Sequence, residues 1–524
     1  MKKIIAMLLV VVATVSLFAG CAGNGPVIGG GYQGSEEAPY DVDENGQFIY
    51  GDTFKDVTIE WWFSSNYELN GDMYIFKKLE EKIGCKFDIK CYDGEDYKVK
   101  INNAMNTSNL PDMCAMVVEY PVFNVYGDQG IFVNLLAPNA LNRMPNMKKA
   151  ILDVEGNEEL LSFYKSEGGG LYTFPRYDCD RDVNFGWMYR EDIFEKHGIE
   201  MWTDSESFLN VLRKLKQLYP ESYPLTGASM ESVFNRVCNN YGFNSTVRAY
   251  DWDKKEWYLG ATDEGFYEMM ELFQTAWNEG LVDPDIFNNK VNNIDEAIIN
   301  GTSFVYNSWI GRMVVENTYG RTQDPDFQVS YAPHIGDGKG DQLAKLGING
   351  TVINALSSTL EIEACLAIWN YLYSDEGKDV MSMGEEGVTY DTVNGVKVYK
   401  NPDGSVMENA TIQTLEEQYG LWNGSTYILA SKESVYFTYT PEEKAAQEIG
   451  VKNGVLTRAP AVTVAAADAE EYSDLLIELD KEIKEYCQKY MIKNLDRADW
   501  EAQCAAWNAR YGRMFEILNA GNGK

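Results

Sequence analysis

From Val57 onward the chain alternates short apolar runs with amphipathic segments, and that alternation restricts its fold more than any other feature. VTIEWWF (57–63) reads as a strand. Residues 73–83 carry Met73, Ile75, Phe76, Leu79 and Ile83 at helical spacing, with Gly84 placed to end the helix. CKFDIKC (85–91) is a second strand, 97–105 a second helix and MCAMVV (113–118) a third strand. Strand and helix taken in turn imply a parallel sheet covered by helices. Further on, Thr203-Asp-Ser-Glu206 has the form of a capping box, opening a helix with Phe208, Leu212, Leu215 and Leu218 on one stripe. Leu475, Leu476, Leu479, Ile483 and Tyr486 mark a long helix near the C-terminus, and Trp500, Trp507 and Tyr511 mark a last one. With 524 residues, 45% of them hydrophobic, the pattern fits two α/β lobes better than one enlarged sheet.

The first residues say where such a chain works. Lys2 and Lys3 precede an apolar run from Ile4 to Phe18, then Ala19, Gly20 and Cys21, the layout of a secretory signal with an apolar run too short to span a bilayer. Phe18-Ala19-Gly20-Cys21 resembles the lipobox of bacterial lipoproteins, with Phe18 where that family prefers Leu. The resemblance implies a signal peptide over 1–20 and a lipid-modified Cys21 on the outer face of the cytoplasmic membrane; secretion by cleavage after Gly20 without lipid is the alternative. Residues 21–54 are expected to be anchor and flexible linker, since 22–38 are Gly-rich with few large apolar side chains. Asp41, Asp43, Asn45 and Asp52 match part of an EF-hand calcium loop, but the flanks lack helical period, and Asn45-Gly46 is a strong hairpin signal. A simple turn is the favoured reading and bound calcium the weaker one; no other cofactor is expected.

Net charge is −35, which sets the chain against phosphate backbones and argues against nucleic acid as a partner. The eight cysteines after Cys21 show no metal-binding spacing. Cys85 and Cys91 would share a strand face about 20 Å apart, too far to bridge. Buried free thiols and disulfides formed after export both remain open for the rest.

Several segments, in order, resemble the family 1 extracellular solute-binding proteins of sugar ABC transporters, relatives of maltose-binding protein. Asn109-Leu-Pro-Asp112 is similar to that family's D-L-P-D step. Gly170-Leu-Tyr-Thr-Phe-Pro175 and Phe185-Gly-Trp187-Met-Tyr-Arg190-Glu-Asp192 are similar to its crossover between lobes. Ala297 to Trp309 resembles F-x-x-G-x-x-A-M-x-x-x-G-x-W, and Tyr371-Leu-Tyr-Ser374-Asp-Glu-Gly377 resembles Y-L-x-S-x-E-G. The resemblance spans about 55–390, and the C-terminal remainder fits the longer, LplA-like lipoprotein subset. It implies a two-lobed clamp, each lobe a mainly parallel sheet flanked by helices, joined by crossing hinge strands. Lobe one is expected over 55–175 and 291–345, lobe two over 176–290 and 346–524. It also implies a monomer that captures a carbohydrate, an oligosaccharide by preference, by hinge closure and delivers it to a membrane permease. No GxxxxGK[ST] occurs, so energy would come from that partner.

A sugar presents apolar C–H faces and a rim of hydroxyls, so its site needs aromatic platforms beside carboxylates, amides and arginines. Loops after strands are the natural place for them. After the first strand come Trp62, Ser64 and Asn66; after the third, Glu119 and Tyr120; at the crossover, Arg176, Tyr177, Asp178 and Trp187; after a later strand, Asn307, Trp309 and Arg312. Alternation puts Trp61 and Trp62 on opposite faces, so at most one faces a cleft. Trp309 is the strongest candidate, and Glu385 and Glu386 read as a solvated turn. Enzyme readings have less support: His197 and His334 are the only histidines and no GxSxG occurs, although a glycoside hydrolase carboxylate pair can always be proposed among 80 acidic residues. A ligand sensor feeding a kinase would use the same fold.

Overall fold

In the computed structural model, the strand Thr58–Ser64 pairs in parallel with Lys86–Tyr92 on one side and Met113–Ala115 on the other. The model describes residues 32–521 apart from 66, 108, 116–119, 163, 179–182, 228–229, 288–290, 336–339, 342–345, 408–409, 423–425, 427, 431–435, 437–438, 453, 458, 461 and 463. Alternation along the first strand sends Ile59, Trp61 and Phe63 into a core closed by the helices Tyr74–Ile83 and Thr359–Leu372. Gly84 ends the first of these helices in the left-handed region (φ 88°), donating its N–H to the Glu80 carbonyl. Trp369 enters the same core stacked on Phe174 at 3.7 Å between ring centroids. The fourth strand, Thr351–Ile353, joins antiparallel to Met113–Ala115.

A second sheet takes the strands Val329–Tyr331, Phe185–Arg190, Val305–Trp309 and Leu225–Gly227, in that order. Its pairs are antiparallel except Val305–Trp309 with Leu225–Gly227. One face packs on the helices Ser205–Leu218, Glu264–Asn278, Ala469–Lys493 and Arg497–Gly521. The other face meets residues of the 390–446 segment. The two lobes are joined by a third sheet, in which Pro175–Asp178 lies between Leu346–Ile348, antiparallel, and Leu429–Ala430, parallel.

Three expectations are corrected. Segment 291–345 does not belong with the first lobe: its strands Val305–Trp309 and Val329–Tyr331 pair with Phe185–Arg190, while 351–382 returns to the first lobe through Thr351–Ile353 and the helices Thr359–Leu372 and Asp375–Ser382. The second sheet is not mainly parallel, because Phe185–Arg190 enters from the opposite lobe and therefore runs against its neighbours. The capping box sits one residue later than expected, with Asp204 as the cap, accepting from the Ser207 N–H at 2.7 Å.

The expected linker over 21–54 is also corrected over its described part. Arg143, 1% exposed, donates to Glu363 Oε1 at 2.7 Å. The Tyr32 and Tyr40 hydroxyls donate to the same carboxylate, each at 3.1 Å. Arg143 Nη1 and Asn139 Nδ2 hold the carbonyls of Ser35 and Tyr32, both at 2.8 Å. A desolvated guanidinium and carboxylate thus fasten the segment to the first lobe. Residues 1–31, with Cys21, lie outside the described residues. Removing one partner of a buried pair leaves the other charge uncompensated. Glu363→Ala is therefore expected to lower stability by about 3–5 kcal/mol and to expose residues 32–40 to protease, as measured by urea unfolding and limited proteolysis.

Candidate functional site

The site follows from where the chain crosses. Leu346–Ile348 leads into Thr351–Ile353, whose first residue, Thr351, stands opposite Ala115 at the end of the third strand. The C-terminal ends of Thr58–Ser64, Lys86–Tyr92 and Met113–Ala115 therefore share the edge of the first sheet that faces the crossing strands. In the second lobe Phe185, the first strand residue after the crossing, stands opposite Trp309, the last of its strand. Both carboxyl edges thus look toward the crossing strands and toward each other, the arrangement in which open α/β sheets take ligands.

On the second-lobe edge Trp309 is 39% exposed and packs edge-on against Phe185, ring centroids 5.4 Å apart. Arg236, from the helix Met230–Val237, lies with its guanidinium carbon 4.6 Å from the Phe185 ring centroid and 5.9 Å from that of Trp309. These three form an aromatic surface rimmed by a cation. Asn307, two residues back on the same strand face, is 4% exposed, and its Oδ1 has no hydrogen-bond partner among the described residues.

Arg312 opens the next helix and makes an ion pair with Asp295. One turn on, Glu316 is fully buried and accepts from the Tyr306 hydroxyl. Burial pushes its carboxyl up to about 8, against the downward pull of the Tyr306 hydrogen bond and of Arg312 and Arg190. Glu443 is pushed up to about 7, also by burial.

On the first-lobe edge the Ser65 N–H donates to the Tyr92 carbonyl at 3.1 Å and Ser65 Oγ accepts from the Tyr67 N–H at 3.0 Å. Tyr67 lies within reach of charges from the second lobe. Burial first, then the charges of Glu416 and Glu417, raise its hydroxyl, while Arg312 of the second lobe lowers it. Trp62 is half-buried, donating its Nε1–H to Glu60 at 2.8 Å and packing edge-on to Tyr92 at 5.6 Å. Ser64 ends that strand, half-buried. On the crossing strand Arg176 is half-buried opposite Gly347.

Trp187 is not at this edge, which corrects its expected place. It is fully buried in the second-lobe core, donating to Asn240 Oδ1 at 3.1 Å, because it sits two residues in from Phe185 on the same strand face, where Phe208 packs over it. Asn66 and Glu119 lie outside the described residues, as do the side chains of Tyr120, Tyr177 and Asp178, whose backbones form part of a helix (Tyr120–Asp128) and of the crossing strand. The Asp41–Asp52 stretch forms a hairpin: Asp41 and Val42 pair with Ile49 and Phe48, and Asp43 Oδ1 accepts from the N–H groups of Asn45 and Gln47, each at 2.8 Å. That oxygen is committed to the turn, and Asp52 instead meets Lys55 at 3.6 Å on the surface. Among the described residues no group of three or more His, Cys, Asp or Glu is placed to hold a metal. Glu385 is no mere surface turn, since it meets the buried Lys78 of the first lobe at 3.1 Å. His197 meets the Tyr219 hydroxyl at 2.9 Å and His334 the Gly450 carbonyl at 2.8 Å.

Sequence reasoning missed Phe185, Arg236 and Tyr67. Phe185 stood within the crossover motif and Tyr67 just past the first strand loop, so both were within reach; no local signal links Arg236 to Trp309, because helix packing brings them together.

The architecture is that of the two-lobed solute-binding proteins. Solved structures with this fold include the alginate-binding protein AlgQ2 (18% identity, TM-score 0.69, 90% of this chain and 98% of that one). A second is the human-milk-oligosaccharide (HMO)-binding, ABC-transporter-associated protein of Bifidobacterium longum infantis (14%, TM-score 0.67, 89% and 98%). A third is the S. pneumoniae ABC-transporter substrate-binding protein FusA in complex with kestose (16%, TM-score 0.69, 89% and 98%). At such identities the likeness is one of fold. No protein-family model matches the sequence, and no curated protein matches it significantly.

The buried carboxyl of Glu316 gives this region a pH signature. The folded chain keeps that proton to about pH 8, whereas an unfolded glutamate releases it near pH 4.3, by roughly the ordinary value. The folded state therefore binds more protons between these values, and stability falls as pH rises through that window. Glu443 adds a slope of the same sign. Glu316→Gln keeps an acceptor for Tyr306 and removes its own part. It should flatten the decline of melting temperature between about pH 5 and about pH 8 and melt higher than the parent at the upper end.

Proposed function

We propose that this chain is a binding protein that captures a carbohydrate between its lobes. The observation that carries the proposal is the exposed Trp309 ring, set against Phe185 at the strand edge facing the crossing. A half-exposed tryptophan offers a flat apolar face to sugar C–H groups, and Trp62, Ser64 and Arg176 stand at the opposite edge and the hinge to meet hydroxyls. Asn307 stands on the same strand face as this ring, and Arg312 at the start of the next helix. Structures of the same fold are named for alginate, human milk oligosaccharides and kestose, which favours an oligosaccharide here.

Capture would proceed by hinge closure, since only a closed clamp lets both edges touch one ligand. Delivery to an ABC permease, anchoring through Cys21 on the outer face of the membrane and a monomeric state complete the reading. The N-terminal motif supports the anchoring, and the two ABC-transporter-associated structures named above support the permease. Among the described residues no helix is long and apolar enough to cross a membrane. We favour binding over glycoside hydrolysis because the exposed edge is aromatic and the structures of the same fold named above are binding proteins. Sensing for a kinase is the second reading on the same fold.

A thermal-shift screen of the protein lacking residues 1–21 against oligosaccharides, with calcium and with EDTA, tests this. A ligand at 100 times its Kd adds about 2.7 kcal/mol of stability. A shift with one sugar class supports capture, and sugar cleavage in the mixture would count against it. Trp309→Ala is expected to weaken binding roughly 10- to 100-fold in calorimetry, while the unliganded melting temperature changes little because the ring is only partly buried.

A further inference from the structure

We propose that the captured sugar is acidic, a uronic-acid-bearing oligosaccharide whose carboxylate is received by Arg176; this rests on the carbohydrate reading above. Arg176 lies in the middle strand of the crossing sheet, between the lobes, and is half-buried. Its side chain has no hydrogen-bond or ion-pair partner among the described residues, which sets it apart from the buried arginines of this chain. Arg143 is matched to Glu363, Arg190 to Asp192 at 2.6 Å and Arg312 to Asp295. A half-buried guanidinium between the lobes that no carboxylate of the described residues occupies is available to a carboxylate brought by a ligand.

The space beside Arg176 fits that use. Gly347 stands directly opposite it in the antiparallel pair, so both project to the same face of the crossing sheet. A Cβ built on Gly347 would meet nothing within 4 Å. The face of the crossing sheet that Arg176 shares is therefore open beside its cross-strand neighbour. A second guanidinium, Arg236, lies over Phe185 and near Trp309 at the second-lobe edge. A neutral sugar would offer these groups hydroxyls alone, whereas a uronate offers two oxygens in the geometry a guanidinium matches. The chain as a whole carries −35, so an acidic ligand would have to be held by direct pairing with a guanidinium rather than by the general field.

The test uses the full-length chain in detergent and calorimetry with oligomers of galacturonate, mannuronate, guluronate and glucuronate, each compared with its carboxyl-reduced neutral counterpart. One acidic oligomer is expected to bind about 10-fold or more tightly than its reduced form. Arg176→Gln should erase most of that difference while leaving the unliganded melting temperature near the parent's, and Arg176→Lys should restore part of it. Equal binding of acidic and reduced forms, an unchanged preference in Arg176→Gln, or binding of neutral sugars alone would overturn the acidic ligand while leaving the carbohydrate reading intact. Binding of neither acidic nor neutral sugars would overturn both.

Discussion

Everything in this molecule is organised by the short backbone ladder in which Pro175–Asp178 is held between Leu346–Ile348 and Leu429–Ala430. Because three of the passages between lobes run through this sheet, the strands next to it begin or end beside it. That placement puts Phe185 opposite Trp309 and Thr351 opposite Ala115. It also forces Phe185–Arg190 to run against its neighbours, which is why the second sheet is mixed. A cleft between strand ends is then a consequence of connectivity, with no special loop needed to make it.

The electrostatics of the chain divide along the same line. At the periphery, charge serves fastening: Arg143 and Glu363 hold the N-terminal segment to the first lobe, and Arg213 grips Glu279 at 2.6 Å between two helices of the second. Toward the crossing, polar groups are buried with incomplete partnering, as with Glu316 Oε1 and Asn307 Oδ1 among the described residues. Incomplete satisfaction costs stability and is tolerated where function requires polar groups in place before a ligand arrives. The contrast between matched arginines and Arg176 belongs to this pattern.

Much of the local structure was legible because it depends on neighbours in sequence. The apolar stripe of 73–83 and its Gly84 terminus became Tyr74–Ile83 with a left-handed cap. The stripe near the C-terminus became Ala469–Lys493, and the tryptophan pair beyond it Arg497–Gly521. Strand alternation separated Trp61 from Trp62 correctly, since Trp61 lies in the sheet's core face and Trp62 packs on the other. Trp187 misled for the same kind of reason. Its motif marks the crossover and a period of two puts it on the same face as Phe185, but it lies two residues farther from the strand end, where Phe208 and the helices behind it cover that face.

The sequence by itself determined the element types, most of their limits, the acidic surface and the presence of an aromatic at the end of a strand, because each rests on composition or on spacing along the chain. Only the tertiary structure decided which lobe owned 291–345 and 351–382, since strand partnership is a long-range choice that periodicity does not encode. The same holds for the company Trp309 keeps: Phe185 is 124 positions away and Arg236 is 73, and only the packing of a helix over a strand edge places them within a few ångströms.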